Sequence, residues 1–263
     1  VKSEIPRMIT WTQLLEYFGF ADRDSIQLGS EDATGNIHIQ LIQLPSSKES
    51  ESIRVEPDSV PLGWQQQKSF FRDHYFGDDR IYYIQYNKCW SREVEEEHGS
   101  GASALFMPSF KEFEKQVFRT IRKQKIDKLV FDMRFNRGGN SYQGTKFIEK
   151  LSRTKYQGEV KFYVLVSRHT FSSAIINTVD FMNNTDVVIV GEGTGGRPNH
   201  FGEIQRFVLP ESHLVVSYST KYFTLLPEDV PSILPDMEAS ITFAQFMKGI
   251  DPALQLIRTH PTD

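Results

Sequence analysis

Apolar positions recur along this chain in two rhythms. Four short runs, "RIYYIQYN" from Arg80, "KLVFDM" from Lys128, "VKFYVLV" from Val160 and "DVVIV" from Asp186, are rich in β-branched and aromatic residues. Runs of this length and composition read as buried strands. Between them the spacing lengthens. Phe110, Phe113, Val117, Phe118 and Ile121 fall on one stripe of a helix, and Ser109 with Glu112 marks its start as a capping box. "YQGTKFIEKLS" and a segment from about Ser172 to Met182 read as two further helices. Strands alternating with helices predict parallel pairing and a layered α/β core.

The flanks differ. Residues 1–76 read as a separate α+β region, and 77–263 as the main domain. "TWTQLLEYFGF" has helical spacing and ends at a glycine, while "GNIHIQLIQL" alternates from Ile37 to Leu44 as a half-buried strand should. "PSSKESES" (Pro45 to Ser52) reads as a polar connection, and "SREVEEEHGSGAS" as a solvated loop. Beyond Gly202, "EIQRFVLP" and "HLVVSYST" read as an antiparallel ribbon.

Composition narrows the function classes. A net charge of -4 gives no bulk attraction to nucleic acid, so no nucleic-acid partner is expected. No apolar run is long enough to span a bilayer. Cys89 is the only cysteine, which rules out an intrachain disulfide and leaves the redox compartment open. No H-E-x-x-H or Cys/His cluster stands at zinc spacing, so no metal is expected. The chain opens on Val1 with no signal sequence, which reads as a processed or trimmed product. A secreted or cell-envelope setting is the expectation.

Candidate chemistry gathers at three strand ends. "FDMRFNRGGN" leaves a strand into Gly138-Gly139, a pair that lets the backbone turn sharply and present bare N–H groups. "VLVSRHTFSSA" leaves another strand and puts Ser172 where a helix begins, at the positive end of its dipole. "VVIVGEGTGGRPNHFGE" empties into a glycine-rich loop that spells G-x-G-x-x-G at Gly191, Gly193 and Gly196. That spelling signals a dinucleotide only when a helix starts at the third glycine. Here Pro198 and a strand-like segment follow, so no helix terminus is available for a pyrophosphate. Alone, each turn has a plain structural reading, Ser172 as an N-cap above all. Together, a serine at a helix start beside backbone N–H donors is acyl-transfer geometry.

These segments, "KLVFDMRFNRGGN", "VLVSRHTFSSA" and "VVIVGEGTGGR", follow in an order and spacing similar to those of the tail-specific, or C-terminal processing, serine peptidases. That superfamily includes the tricorn core and the interphotoreceptor retinoid-binding protein modules. The resemblance runs from about Arg80 to the end, with "LPDMEASIT" and "GIDPALQLI" included. It implies an α/β fold, the Clp protease/crotonase-like β-α spiral. It also implies endopeptidase activity on peptides or unfolded proteins, without metal or organic cofactor. By the same resemblance Ser172, after Thr170, is the nucleophile, with adjacent Ser173 as the alternative. Asp132, Arg134, Asn136, Gly138 and Gly139 match the family's Asp-x-Arg-x-Asn-x-Gly-Gly, which implies an oxyanion hole of Gly138/Gly139 backbone and Ser173 N–H. Thr194, in the G-E-x-T-x-G segment, is an expected substrate-facing residue, and so, from its own chemistry as a bidentate partner for a carboxylate, is Arg197 just after it.

The pattern departs from the family at the base. Arg197, 25 residues past Ser172, stands where the processing peptidases carry lysine. A guanidinium cannot take a proton near neutral pH, so a Ser/Lys dyad is excluded. Phe201, Asn183 and Ile175 replace further expected polar residues. Tricorn-like members use histidine, and an imidazole suits that role. The candidates are His200, with Glu203 to orient it, His74 before the strand "RIYYIQYN", and His169. Lys221 is a further basic candidate. "GGRPNHFGE" with "SYSTKYF" also resembles a PDZ-free bacterial branch lacking the lysine. The rival expectation is a non-catalytic peptide- or lipid-binding module on the same fold, which the lost polar residues would suit.

Overall fold

Burial of the four apolar runs organises the larger part of the molecule. The computed structural model describes residues 12–22, 25–32, 34–43, 56–156 and 158–262. It divides into two units, Val1–Glu56 and Pro57–Asp263. The division falls earlier than the boundary expected after Phe76, because residues 57–76 carry elements that belong to the larger unit's sheet.

The smaller unit contains α1 (Thr12–Tyr17) and an antiparallel hairpin of β1 (Ser25–Glu31) and β2 (Ile37–Gln43). Asp32 shapes the hairpin turn by accepting from the N–H groups of Thr34 and Asn36. β2 is exposed along its whole length, not half-buried as its alternation suggested. A two-stranded ribbon has no second layer of its own to bury one face. The polar segment Pro45–Ser52 lies outside the described residues.

The larger unit runs α2 (Leu62–Gln65), β3 (Phe71–Phe76), β4 (Ile81–Tyr86), α3 (Arg92–His98), a 3-10 turn (Ala104–Phe106) and α4 (Phe110–Lys123). It continues β5 (Lys128–Asp132), α5 (Ser141–Ser152), β6 (Lys161–Val166), α6 (Ser173–Asn184) and β7 (Val187–Gly191). The ribbon β8 (His200–Val208) and β9 (Val215–Phe223), then β10 (Met237–Glu238), α7 (Phe243–Met247) and α8 (Pro252–Thr259), complete it. The main sheet has the order β10-β7-β6-β5-β4-β3, parallel except for the β3–β4 pair.

Period-two alternation divides the core between the sheet's faces. Tyr82, Ile84 and Phe131 pack with Phe110, Val117, Phe147 and Phe181 of the crossover helices. Tyr83, Val130 and Tyr163 point the other way, onto Ala253, Leu254 and Ile257 of α8. Both faces are covered, which is why these strands read as continuous apolar runs.

One expected loop is a helix. "REVEEEH" forms α3, capped by Ser91, whose hydroxyl accepts from Val94 N–H. Its acidic residues have partners that sequence spacing does not reveal. Glu93 accepts from the Ser109 hydroxyl and from Phe110 N–H at 2.9 Å, and Glu95 accepts from Trp90 Nε1 at 2.9 Å. Ser109 does cap α4, accepting from Glu112 N–H. The free N–H of Phe110, next along the helix, is taken by Glu93 from the neighbouring helix. Burial opposes the charge on Glu93, but hydrogen bonds from the Ser109 hydroxyl, the N–H of Glu93 itself, Phe110 N–H and Ser91 outweigh it and hold the carboxyl down at about 2.

Candidate active site

The carboxyl ends of β5, β6 and β7 carry the three turns that the sequence singled out. The first is braced from below. Arg134 is buried, forks onto Asp132 and Asp251, and stacks on Trp64 with its carbon 4.7 Å from the ring centre. Burial disfavours the guanidinium charge, yet the two carboxylates outweigh it and hold its pKa well above the usual range. Tyr83 donates to Asp132 at 2.6 Å, and burial with that carboxylate's charge pushes the phenol up.

Asn136 is the hub of the turn. Its Nδ2 donates to Tyr86 O at 2.8 Å, while its Oδ1 accepts from Gly138 N–H at 2.8 Å. Its own carbonyl accepts from Phe171 N–H at 3.0 Å, which ties the first turn to the residue before Ser172. Gly138 and Gly139 have φ of 103° and 138°, open to glycine at little cost. A Cβ on Gly138 would stand 2.9 Å from Ser172 Cβ, and one on Gly139 only 2.4 Å from Cys89 O. Only a bare backbone lets the three segments meet.

Ser172 caps α6 with φ 53° and ψ -123°, a sharp strand-to-helix turn of a kind that costs energy for a residue with a side chain. The turn is over-determined by its neighbours. The Thr170 hydroxyl donates to Met133 O at 3.0 Å and accepts from Ser167 N–H, while Thr170 O accepts from Gly195 N–H at 2.9 Å. The Ser172 hydroxyl makes no side-chain cap bond. The Ser173 hydroxyl is engaged, donating to Gly139 O at 2.7 Å. The two adjacent serines, inseparable by spacing, are thus distinguished by geometry. Among the described residues, Gly139 N–H and Ser173 N–H have no hydrogen-bond partner. Gly138 N–H, by contrast, is taken up by Asn136.

The histidines separate as well. His200 opens β8, and its Nδ1 lies 2.8 Å from Pro198 O. A carbonyl can only accept, so Nδ1 carries the hydrogen and Nε2 keeps the lone pair. The orienting group is this carbonyl and not Glu203, which is exposed at the kink of β8 with φ 57°. The ring of His200 stacks on Phe223. No hydrogen bond joins His200 to Ser172 among the described residues. The loop bearing His200 is nonetheless bound to the serine turn through Gly195 N–H and Thr170 O. His74 is in register with Tyr83 on the edge strand, three strands from β6, and packs edge-on to Phe76. Three strand spacings amount to about 14 Å, so the structure does not bring it to Ser172. His169 stacks on Phe135 and lines a 140 Å³ cavity with Trp64, Arg168 and Glu192. Lys221 is exposed on β9, over the Phe223 ring.

Of the two substrate-facing expectations, Thr194 is buried, and its hydroxyl accepts from Ile233 N–H and donates to Gly196 O. Its one donor is committed to the loop itself, which it braces. Arg197 is exposed and pairs with Asp229 at 2.8 Å. Asn199 was not anticipated. It is buried, accepts from Leu225 and Leu226 N–H, and donates to Leu226 O and Glu228 O. That clamp fixes the backbone next to His200; an asparagine flanking a candidate base was the only available signal. Among the described residues no group of three His, Cys, Asp or Glu is placed to hold a metal ion, and no helix is long and apolar enough to cross a membrane.

No family model matches the sequence, and no curated protein matches it. Among solved structures the fold is similar to that of a candidate peptidase from Parabacteroides merdae, at 18% identity over 72% of this chain and 63% of that one, with a TM-score of 0.53. It is similar also to mature CPAF complexed with lactacystin, at 11% identity over 89% of this chain and 67% of that one, with a TM-score of 0.52. The chain spans less than two thirds of the first structure's length. At these identities the likeness is one of fold: the α/β architecture is that of these structures, in agreement with the resemblance read from the sequence.

Proposed function

We propose that the chain is a serine peptidase that cleaves peptide bonds through an acyl-enzyme on Ser172. The observation that carries this reading is the strained serine at the start of α6, its hydroxyl uncommitted, beside two backbone N–H groups that have no partner among the described residues. A strained backbone conformation persists only where its surroundings impose it, and such conformations cluster at working sites. In this reading Gly139 and Ser173 N–H groups hold the oxyanion, and Gly138 supplies the space that lets Ser172 approach. Preorganised donors aimed at a developing oxyanion usually do more to speed acyl transfer than any other group in the site.

His200 is the proposed base. Its Nδ1–H is fixed on Pro198 O, which leaves Nε2 to accept the serine proton once substrate draws the loop inward. Arg197 is proposed to exchange Asp229 for a carboxylate of the substrate, in a bidentate pair that suits a peptide C-terminus. Peptides or unfolded proteins are the proposed substrates. A secreted or cell-envelope setting belongs to the same proposal.

The test is intact-mass analysis after incubation with a fluorophosphonate between roughly pH 5 and 9, beside a Ser172→Ala control. One adduct, lost in the control, is the expected result. An adduct that survives in Ser172→Ala would move the nucleophile elsewhere. Absence of any adduct would favour the binding-module reading, which draws on the missing hydrogen bond between His200 and Ser172.

A further inference from the structure

The Ser173 hydroxyl has a task apart from its backbone. An extended residue points its own N–H and C=O to one side of the chain, and its neighbours' groups to the other. Around Gly139 both sides are accounted for. Cys89 pairs with this segment as an isolated parallel bridge. Its N–H donates to Gly138 O at 3.1 Å, and its carbonyl accepts from Asn140 N–H at 2.7 Å. Those bonds take the neighbours' groups and leave Gly139 facing the start of α6. There the Ser173 hydroxyl donates to Gly139 O at 2.7 Å, while Gly139 N–H stays unengaged.

We infer that Ser173 is a positioning residue: its hydroxyl pins the Gly139 carbonyl so that Gly139 N–H stays aimed beside Ser173 N–H as an oxyanion donor. The inference rests on the serine-peptidase reading and extends it. The pin matters because of where it acts. Gly138 and Gly139 both adopt positive φ, and glycine reaches the mirror conformations almost as readily. The peptide between them, which carries Gly139 N–H, is held by one bond, from Cys89 N–H to Gly138 O at 3.1 Å, and Ser173 holds the following peptide by its carbonyl, so that a swing about Gly139 that would turn the N–H away is resisted from both sides. Cys89 holds one edge of the segment and Ser173 the other. The Cys89 side is further secured from beneath, since its thiol lies 3.5 Å from the side-chain oxygens of both Asn136 and Asn177. On the α6 side, Ser173 Oγ is the side-chain group that holds Gly139. Serine at this first helical position also leaves its N–H unbonded within the helix, so one residue supplies a donor and fixes its companion.

The experiment compares fluorophosphonate adduct formation at Ser172 in wild type, Ser173→Ala, Ser173→Cys and Ser173→Thr, with the thermal midpoint of each. Displacing one donor by an ångström costs up to about 100-fold. Ser173→Ala is expected to slow the adduct by roughly 10- to 100-fold, below the roughly 10²- to 10³-fold of outright loss of an oxyanion donor, because the donor is displaced and not removed. Ser173→Cys, nearly isosteric with a weaker donor, should fall between. Ser173→Thr, which restores a hydroxyl, should recover to within about threefold of wild type. Should Ser173→Ala fail to fold, the Cys and Thr pair decides the matter. With a peptide substrate the loss should fall on kcat and leave KM near its original value. Wild-type rates in both Ser173→Ala and Ser173→Cys overturn the pin and leave the peptidase reading standing. No adduct in wild type overturns the peptidase reading, and the pin with it.

Discussion

Arg134 reaches from the turn after β5 to Asp251, the N-cap of α8, with two nitrogens 3.0 and 2.8 Å from its two carboxylate oxygens. The pair joins the base of the candidate site to the end of the chain. The same carboxylate accepts from Ala253 and Leu254 N–H, so one group caps α8 and holds the guanidinium. Truncating Arg134 to alanine would strand Asp132 and Asp251 in a buried place. We expect Arg134→Ala to lose about 3–5 kcal/mol, the range for breaking a buried pair from one side. Asp251→Asn keeps an acceptor for the cap and should cost less than half as much. Urea denaturation of both variants measures this; equal losses would mean that the Arg134–Asp251 pair, and not the stranding of Asp132, carries the cost.

Gly138 stands against Ser172 with no room between them. A methyl there would meet Ser172 Cβ at 2.9 Å, Phe171 O at 3.0 Å and Ser173 N at 3.1 Å. The backbone also has φ 103°, which an alanine adopts under strain. Gly138→Ala should therefore cost about 1–3 kcal/mol and slow fluorophosphonate labelling by about 100-fold. An active, stable Gly138→Ala protein would show that the two turns are looser than their contacts indicate.

Much of this architecture could be read from local pattern. The strand from Ile81 to Tyr86 and the helix beginning at Phe110 are apolar with their own period, and each period survives in the fold because burial follows it. What escaped depends on partners distant in sequence. The acidic run in "REVEEEH" looked like a solvated loop until Ser109 and Phe110, from the next helix, were seen to occupy Glu93. The hydroxyl of Ser173 is committed through Gly139, which sits 34 positions before it, and no local spacing shows that. Thr194 reads as a ligand contact in a motif, and its bond to Ile233, 39 positions on, is invisible there. His74 stands on the edge strand, three strands from β6, and sheet order is not written in any one segment.

Cys89 offers a reporter for the integrity of the site. Its thiol is fully buried, and burial pushes it up to about 12 although Asn136 lies within bonding distance. The thiolate is the reactive form. Iodoacetamide at roughly pH 8 should leave the native protein unlabelled and label it fully in concentrated guanidinium chloride. Rapid labelling of the folded protein, read by mass, would mean that the Cys89–Gly139 bridge opens readily.

Glu93 sets an acid-side prediction. Its folded pKa is about 2, below the 4.5 of an unperturbed glutamate. A depressed carboxylate contributes stability that is complete above the unfolded value and is lost as pH falls through the folded one. The contribution should fade between those two values. Glu93→Gln should thus lower stability near neutrality and narrow its difference from wild type as acid is added. Parallel stability curves for the two proteins down to roughly pH 2 would remove Glu93 from this role.

His200 makes no hydrogen bond to Ser172 among the described residues, so its role as base rests on how it is held. It has the tautomer the role needs, through Pro198 O, and a backbone held by the four bonds of Asn199. His74 has neither link to the serine turn. Loss of a general base typically costs about 10²–10⁴-fold, so we expect roughly that loss in kcat for His200→Ala and almost none for His74→Ala. Asn199→Ala should fall between, because it leaves the imidazole intact and releases only its support. The measurement is hydrolysis of one peptide substrate by all three variants. A His200→Ala enzyme with wild-type kcat, or a deeper loss in His74→Ala, would transfer the role away from His200.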